Sequence, residues 1–447
     1  MTALLSAEQA TAPSTCSAHT MKSWDGAELF YRYWKPTLPS QKAILLFHRG
    51  HEHSGRFQDV VRELGLADFH VFAWDARGHG RSMGQRGYAP NFAAVVKDID
   101  TFARFIAKSY RIEFQNMVVL GHSVGAVAVA AWVHDYAPPV RAMVLATPAF
   151  RVKLYVPFAL PALRFRMRFG GASFIKSYVK ARMLTHDPAQ VESYQRDSLI
   201  SRQIATNILI DLHDTATRLM RDAGAIELPT LILRAGADWV VKNAAQRAFF
   251  ERLGSPIKQL ARFPGSYHDL LHEQDRGGPI GQVRDFIVRA FERPAQAPCL
   301  LDADFQGHTR REYDRLRRPL PRLSPRRLRF AMQKLAMQTI CRLSEGIRTG
   351  WRSGFDSGQS LDYIYRNKAR GFTPIGKLID RIYLNSVGWT GIRHRHADLQ
   401  ATLREAIDNV RASGRPVRIL DIAAGGGRYA LEVLTAVRGD DISAVLR

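Results

Sequence analysis

The chain has 447 residues, of which 46% are apolar, and a formal net charge of +23. This length predicts two or three domains, and the apolar content is ample for buried cores. The three cysteines, Cys16, Cys299 and Cys341, are too few and too scattered for a disulfide framework or a zinc site, which fits a reducing compartment.

The amino-terminal twenty residues have neither the basic start nor the continuous apolar run of a signal peptide. Elsewhere no stretch reaches the roughly 18 consecutive apolar residues that a membrane-spanning helix needs. We therefore expect residues 1–20 to form a flexible tail and the protein to be cytoplasmic.

From Ala43 onward, short apolar runs alternate with amphipathic helical segments. The runs AILLFH, HVFAWD, NMVVLGHS, VRAMVLATPA and LPTLILRAGAD are short and largely continuous rather than alternating, which is typical of strands buried on both faces. Right-handed connections between such strands give a doubly wound, mostly parallel sheet covered by helices. The sequence predicts this α/β architecture over residues 21–295.

The alternation stops between about residues 150 and 225, where bulky apolar residues are mixed with arginine and lysine, as in KLYVPFALPALRFRMRFGG. Placed above the ends of the strands, this segment would form a lid. Two alternatives remain open for it, because the same mixture fits packing on the core as well as contact with a lipid surface.

The pattern G-x-S-x-G is formed by Gly121 to Gly125, between the apolar run MVVL and the helix-like run AVAVAAW. In this strand–turn–helix context the glycines permit a sharp turn that exposes the central serine at the end of the strand. The sequence therefore predicts Ser123 as a nucleophile. The neighbouring His122 is expected to support the turn.

A serine nucleophile needs a base, and the base needs a carboxylate that orients it. Asp238 follows the strand-like run LPTLILRA, and His268 stands in the loop of RFPGSYHDLLHE. Either residue alone also fits a structural role, Asp238 as a helix cap and His268 as a surface loop residue. In this architecture the nucleophile, the carboxylate and the base follow one another along the chain in the order Ser, Asp, His. We therefore predict a catalytic triad of Ser123, Asp238 and His268. His272 is the second candidate for the base.

Backbone amides near the nucleophile would have to stabilise the oxyanion. Val124 directly follows the serine, and Gly50 follows the strand AILLF in the loop HRGHEHSGRF. We predict that these two amides form the oxyanion hole. His51, Glu52 and His53 in the same loop stand too close together and lack a further ligand, so no metal site is predicted.

The segments HRGHEHSGRF, WDARGHGRS, GHSVG, GADWVV and YHDLLHE together resemble the monoacylglycerol lipase/lysophospholipase branch of the α/β-hydrolases, the serine aminopeptidase-like group. The resemblance covers about residues 22–293 and implies the α/β-hydrolase fold and the same triad and amides. It also implies a serine esterase that acts through an acyl-enzyme on a lipid-like ester, such as a monoacylglycerol or a lysophospholipid, without a cofactor. Arg49 stands where the family usually has glycine, and we expect a bulky cation at the rim of the site.

Beyond residue 295 the alternation ends, and residues 296–330 are predicted to form a basic linker. Residues 308–352 hold thirteen basic and three acidic side chains. Such a segment would attract an anionic membrane surface, and a solvated linker is the alternative. The sequence has no helix-turn-helix, RNP or zinc-finger pattern, so no nucleic-acid partner is expected.

Residues 331–447 are predicted to be a helical segment followed by RILDIAAGGGRYALEVL, an apolar strand, a glycine loop and a helix. This arrangement resembles the start of a class I S-adenosylmethionine-dependent methyltransferase. The resemblance implies Asp421, Gly425 and Gly427 as vestigial cofactor contacts, with Ala423 where the first glycine usually stands.

A doubly wound cofactor domain needs several further strands and an acidic residue after the second of them. Asp440 and Asp441 precede the expected second strand and so cannot take that role. We therefore expect an incomplete methyltransferase domain, with S-adenosylmethionine bound only by a longer form. A fragment of a bifunctional hydrolase/methyltransferase and a non-enzymatic membrane-surface module remain as alternatives to a hydrolase alone.

Overall fold

The computed structural model describes residues 16–156, 158–294, 301, 307–422, 424–437, 439 and 441–447. Two compact units are present, one ending at Arg317 and the other beginning at Arg318. The segment predicted as a basic linker, 296–330, is helical over 307–317 and again from 325, so that prediction is wrong for these residues.

The first unit contains ten described strands, and eight of them form one sheet in the order β1-β2-β4-β3-β5-β6-β9-β10. In chain order the strands are β1 (Cys16–Lys22), β2 (Glu28–Trp34), β3 (Ala43–Phe47), β4 (His70–Trp74), β5 (Met117–His122), β6 (Ala142–Ala146), β7 (Phe174–Lys176), β8 (Gln203–Ala205), β9 (Thr230–Ala235) and β10 (Lys258–Phe263). Strand β2 is antiparallel to β1 and to β4, and the other neighbours in this sheet are parallel. The predicted mostly parallel sheet is thereby confirmed.

The start of β1 at Cys16 places residues 16–20 in the sheet, so the predicted tail is wrong for these residues. Residues 1–15 of that prediction lie outside the described part of the chain. Helices accompany the strands in chain order: α1 (Gln58–Leu64), α2 (Phe92–Tyr110), α3 (Val124–Tyr136), α4 (Ala159–Gly170), α5 (Pro188–Arg196), α6 (Thr206–Asp222), α7 (Asn243–Arg252), α8 (Gly277–Glu292) and α9 (Gly307–Arg317).

The central strands are buried along their whole length. Every residue of β3, β5 and β6 is buried, which follows from their continuous apolar sequences and from helices on both faces of the sheet. Helix α3, between β5 and β6, is itself buried from Gly125 to Val133. This close packing gives the ends of β5, β9 and β10 a rigid base, and the loops that follow them carry the candidate site.

The predicted lid segment lies between β6 and β9. It contains α4, α5 and α6 together with the short antiparallel pair of β7 and β8. Buried side chains of α6, among them Leu212, Ala216 and Leu219, belong to the same core cluster as α3. The lid is therefore partly anchored by α6.

The second unit begins with helices and ends with a two-stranded parallel sheet. Its elements in chain order are α10 (Pro325–Gln338), α11 (Glu345–Ser353), α12 (Gly358–Arg366), α13 (Pro374–Leu384), α14 (Val387–Ala412), β11 (Val417–Asp421), α15 (Arg428–Ala436) and β12 (Ile442–Leu446). Buried Asp380 joins its helices, because its carboxylate accepts hydrogen bonds from Ser344, Gly346, Arg370 and Tyr363. Across the described residues of both units, no helix is long and apolar enough to cross a membrane.

Candidate active site

Ser123 occupies a strained turn between β5 and α3, with φ 54° and ψ −108°. A residue other than glycine in this sparsely populated backbone conformation destabilises the fold by about 1–3 kcal/mol, which the surrounding structure must offset. The flanking glycines are required by space. A β-carbon at Gly121 would lie 2.6 Å from the α-carbon of Ala126, and one at Gly125 would clash with the carbonyl oxygen of His48.

The structure brings Ser123, His268 and Asp238 together in one hydrogen-bonded chain. The distance from Ser123 Oγ to His268 Nε2 is 2.8 Å, and the distance from His268 Nδ1 to Asp238 Oδ2 is also 2.8 Å. All three residues are buried. Because the carboxylate faces Nδ1, that nitrogen carries the proton, and Nε2 is left to accept the proton of the serine hydroxyl.

The carboxylate of Asp238 is fixed by its own loop as well as by His268. Its Oδ1 accepts hydrogen bonds from the amides of Val240, at 2.7 Å, and Val241, at 2.9 Å. Burial alone would raise the pKa of Asp238, but the charge and hydrogen bond of His268 and these two amides hold it below its ordinary value. Asp238 is therefore ionised at neutral pH.

The backbone amides of Gly50 and Val124 lie beside the serine. Val124 is the first residue of α3, so its amide has no carbonyl partner within the helix. A β-carbon at Gly50 would come within 3.0 Å of the Val124 side chain, so the two residues are adjacent. Neither amide donates a hydrogen bond to another residue in the described ranges. Both amides can therefore bind a ligand oxygen.

A cavity of about 160 Å³ opens onto Ser123 and His268. Its walls are mainly apolar and come from both the core and the lid. The core contributes Trp74, Phe92 and Val124, and the lid contributes Leu154, Ile208 and Leu212. A mainly apolar cavity with a small number of polar groups is typical of a small-molecule site.

The expected cation at the rim is wrong, because the Arg49 side chain is buried. Its Nη2 donates to Glu52 Oε1 at 2.7 Å, and its Nε lies 3.4 Å from Asp269 Oδ2. The guanidinium also lies over the ring of Tyr194, 5.1 Å from the centroid. Sequence reasoning missed Asp269, although an acidic residue directly after the predicted base was a signal for such a partner.

His272, the second candidate for the base, is engaged elsewhere. Its Nδ1 is 2.8 Å from Asp269 Oδ1, and its Nε2 is 2.7 Å from the carbonyl oxygen of Arg56. Burial lowers its pKa, but the charge and hydrogen bond of Asp269 outweigh this and raise it. Geometry therefore favours His268 over His272 as the partner of the serine.

His122 packs against the base. Its ring stacks on that of His268 with centroids 6.0 Å apart. Burial lowers the pKa of His122 to about 4, so the ring is neutral at neutral pH. A neutral ring in this place adds no second charge beside His268, and its expected role in supporting the turn stays a prediction.

The side chains of His51, Glu52 and His53, in the loop that contains Gly50, each contact a different part of the protein. Glu52 pairs with Arg49, and His53 Nε2 lies 2.8 Å from Asp197 Oδ2 in the lid segment. His51 lines the cavity at φ 74°, and burial together with the charge of Arg49 lowers its pKa to about 4. Within the described ranges, no group of histidine, cysteine or acidic side chains is arranged to hold a metal ion.

In the second unit, Asp421 is the last residue of β11, and Gly425 and Gly427 lie in the turn between this strand and α15. Both glycines have a positive φ, 58° and 59°. A β-carbon at Gly425 or Gly426 would meet nothing within 4 Å, so this backbone is open to close approach by a ligand, which fits a glycine-loop cofactor contact. The Asp421 carboxylate accepts a hydrogen bond from the hydroxyl of Tyr429.

Two of the residues considered with this loop, Ala423 and Asp440, lie outside the described residues. Asp441 precedes β12, as predicted, and forms an ion pair with Arg411 at 2.7 Å. This partner keeps the Asp441 side chain at the start of the strand.

Comparison with known proteins assigns each unit. Residues 39–275 match the family model described as "Serine aminopeptidase, S33", and residues 283–447 match one described as "Putative methyltransferase". The chain is 48% identical over 421 residues to "Uncharacterized protein YnbC" of Escherichia coli, an alignment that covers 93% of this chain and 71% of that protein. It is 28% identical over 276 residues to the monoacylglycerol lipase of Mycolicibacterium smegmatis, covering 62% of this chain and 98% of that lipase.

Solved structures confirm the fold of the first unit. A soluble variant of the monoglyceride lipase of Saccharomyces cerevisiae in complex with a substrate analog superposes with a TM-score of 0.56 at 16% identity, covering 63% of this chain and 96% of that one. The α/β-hydrolase fold implied by the sequence motifs is therefore present, and a methyltransferase-like domain follows it.

Proposed function

The chain belongs to the serine aminopeptidase S33 family of α/β-hydrolases, and we propose that it is a serine hydrolase that cleaves lipid-like carboxylic esters. One observation carries the proposal: the hydrogen-bonded chain from Ser123 through His268 to Asp238 at the wall of an apolar cavity. A strained serine with two unpaired amides beside it supports the same chemistry.

In the proposed mechanism, Ser123 Oγ attacks the ester carbonyl carbon while His268 Nε2 accepts the hydroxyl proton. Asp238 stabilises the imidazolium, and the amides of Gly50 and Val124 bind the oxyanion. The carbon–oxygen bond to the alcohol then breaks, and His268 returns the proton to the leaving oxygen. Water, deprotonated by His268, attacks the acyl-enzyme and releases the acid.

The apolar cavity and the similarity to monoacylglycerol lipases support an ester with an alkyl chain, such as a monoacylglycerol or a lysophospholipid. A carboxylesterase for shorter chains is the alternative within the same chemistry. Activity against a panel of monoacylglycerols, lysophospholipids and short esters of matched acyl length would discriminate among these three substrate classes.

Ser123→Ala tests the nucleophile directly. We expect it to abolish cleavage of p-nitrophenyl esters and labelling by a fluorophosphonate probe, because no other hydroxyl is activated by His268. Ser17→Ala, on the exposed strand β1, is the matched control and should keep both activities. Labelling that persists in the Ser123 variant would disprove the assignment.

Contact with an anionic membrane surface is the proposed partner interaction. Helix α4 of the lid exposes Phe165 by 69% and Phe169 by 73%, in a sequence that also carries Arg164, Arg166 and Arg168. Exposed aromatic and basic side chains on one short helix suit the interface of a bilayer. In flotation with anionic vesicles, replacing both phenylalanines by serine should reduce binding, whereas replacing the exposed Arg326, Arg327 and Arg329 of α10 by glutamine tests the basic segment separately.

Hydrolysis as proposed needs no cofactor. A fragment of a bifunctional hydrolase/methyltransferase is the second candidate, favoured by the family match over residues 283–447. In a longer form, Asp421, Gly425 and Gly427 would hold S-adenosylmethionine, which supplies a methyl group for transfer. We expect no micromolar binding of S-adenosylmethionine to this chain by calorimetry, since in the described residues one βα turn supplies the contacts and its carboxylate is bonded to Tyr429.

A further inference from the structure

Tyr178 places a hydroxyl group in the wall of the cavity that contains Ser123. The residue follows β7 in the lid and lines the cavity beside Ile175 and Val179. Its Oη is buried, and no hydrogen-bond partner for it exists among the residues of the described ranges. Burial raises the pKa of this phenol, so it remains protonated and able to donate.

A buried hydroxyl without a partner is unfavourable, because folding removes its hydrogen bonds to water and gives none in return. Buried polar groups are therefore nearly always paired, and each exception needs a cause. Phenylalanine would pack equally well here if the ring alone were needed. The hydroxyl of Tyr178 is thus a feature that packing does not explain.

The neighbouring tyrosine shows what a purely structural hydroxyl looks like in this segment. The ring of Tyr155 meets that of Tyr178 edge to face, with centroids 5.5 Å apart. The Tyr155 hydroxyl donates to the carbonyl oxygen of Trp239 at 2.5 Å. One hydroxyl of the pair is therefore satisfied by the protein and the other is not.

The nearby carboxylate does not take up the Tyr178 hydroxyl. Asp238 interacts with Tyr178 electrostatically, but its two oxygens already accept hydrogen bonds from His268, Val240 and Val241. The cavity wall also contains polar residues, among them Ser177 and His51, but in the described ranges none of them is hydrogen-bonded to the Tyr178 hydroxyl. A partner for this hydroxyl therefore comes from solvent in the empty cavity and from the ligand when the cavity is filled.

We propose that the hydroxyl of Tyr178 hydrogen-bonds an oxygen of the substrate other than the ester group, and so makes the enzyme prefer oxygenated lipid esters. This inference rests on the proposed esterase function. Two parts of a substrate carry such an oxygen: a polyol leaving group, as in a monoacylglycerol, or a hydroxylated acyl chain. A site that has a buried group for a substrate hydroxyl discriminates strongly against the analogue that lacks it.

The experiment compares Tyr178→Phe with the wild-type chain on three esters of equal acyl length. These are the methyl ester of an unsubstituted fatty acid, the monoacylglycerol of the same acid, and the methyl ester of its hydroxylated counterpart. We expect kcat/KM to fall about tenfold or more on one of the two oxygenated esters and to stay within about twofold on the plain methyl ester. The Tm should be unchanged or higher, because the variant removes an unpaired buried hydroxyl.

The outcomes show whether the oxygen belongs to the alcohol part or to the acyl chain, and they distinguish failure of the Tyr178 inference from failure of the proposed esterase function. A loss confined to the monoacylglycerol assigns the hydroxyl to the alcohol part, and a loss confined to the hydroxylated ester assigns it to the acyl chain. An equal change on all three esters, or none, overturns the inference while leaving the esterase function intact. If the wild-type chain hydrolyses none of them, the proposed function itself fails. Tyr155→Phe is the matched control and should lower the Tm without changing the preference.

Discussion

The turn after β5 and the turn after β11 both join an apolar strand to a helix through glycines, but they differ in what surrounds them. Strand β5, before Ser123, is buried at every residue, whereas Leu420 of β11 is 63% exposed and Ile422, just after it, is 77% exposed. A parallel strand is normally covered on both faces. An apolar strand with glycines and a helix therefore marks the start of a site, but it does not complete one.

Neighbouring strands make the difference. Strand β5 lies in an eight-stranded sheet, and the loops after β9 and β10 bring Asp238 and His268 to its serine. Strand β11 pairs with β12 in the described residues, and Asp421 at its end is bonded to the adjacent Tyr429. The constellation in the first unit is thus a product of the sheet rather than of the turn.

The largest expected effect contrasts the aspartates that follow β9 and end β11. Asp238→Asn should lower kcat for ester hydrolysis by about 10⁴-fold, because the amide favours the wrong tautomer of His268. Asp421→Asn should leave hydrolysis unchanged. Steady-state kinetics on a p-nitrophenyl ester measures both, and similar losses in the two variants would contradict the contrast.

The next effect concerns buried and exposed arginines. Arg49→Met should destabilise the first unit by about 3 kcal/mol, because buried Glu52 would keep only Arg56, and buried Asp269 only His272, as a positively charged partner. Arg411→Ala removes an ion pair with Asp441 at the protein surface and should leave the unfolding midpoint unchanged. Denaturant unfolding followed by circular dichroism measures the two, and a tolerated Arg49 variant would argue against a tightly coupled cluster.

We expect low pH to destabilise the first unit by protonating its buried carboxylates. The charges of His272 and Arg49 hold the pKa of Asp269 well below its ordinary value of 3.8, against the opposing effect of burial. A depressed pKa contributes stability that is fully present above 3.8 and is lost as the pH falls through the folded value. We expect a slope of up to about 1.4 kcal/mol per pH unit for each such group, and a shallower slope in Asp269→Asn. The free energy of unfolding, measured from pH 6 to pH 2 in both chains, tests this. Equal slopes in the wild-type chain and in Asp269→Asn would show that Asp269 does not contribute to the pH dependence.

The smallest effect contrasts two left-handed residues. His51 holds a side chain at φ 74°, whereas Gly425 has φ 58° without one. His51→Gly should stabilise the protein by about 0.5 kcal/mol, because relief of the strained backbone exceeds the entropy that glycine adds to the unfolded chain. Gly425→Ala should destabilise it by about 1 kcal/mol for the converse reason. Thermal unfolding of both variants checks the opposite signs.

The fold and the proximity of Ser123, Asp238 and His268 could be predicted from the sequence. Continuous apolar runs indicate buried strands, and the order of strands and helices along the chain indicates which strand ends lie at the same edge of the sheet. The buried position of Arg49 was not. It depends on Asp269, more than 200 residues later in the chain, and sequence periodicity carries no information about such a pairing. The unpaired hydroxyl of Tyr178 was equally hidden, since it depends on where every neighbouring donor and acceptor points.

The hydrogen bond between Ser123 and His268 joins residues separated by 145 positions. During synthesis on the ribosome, the serine therefore emerges long before the histidine proposed as its base. If that proposal holds, the nascent chain carries an inert hydroxyl until β10 has joined the sheet and its loop has closed. A fluorophosphonate probe should accordingly label only chains extended well past residue 268, so reactivity is an indicator that the first unit has finished folding.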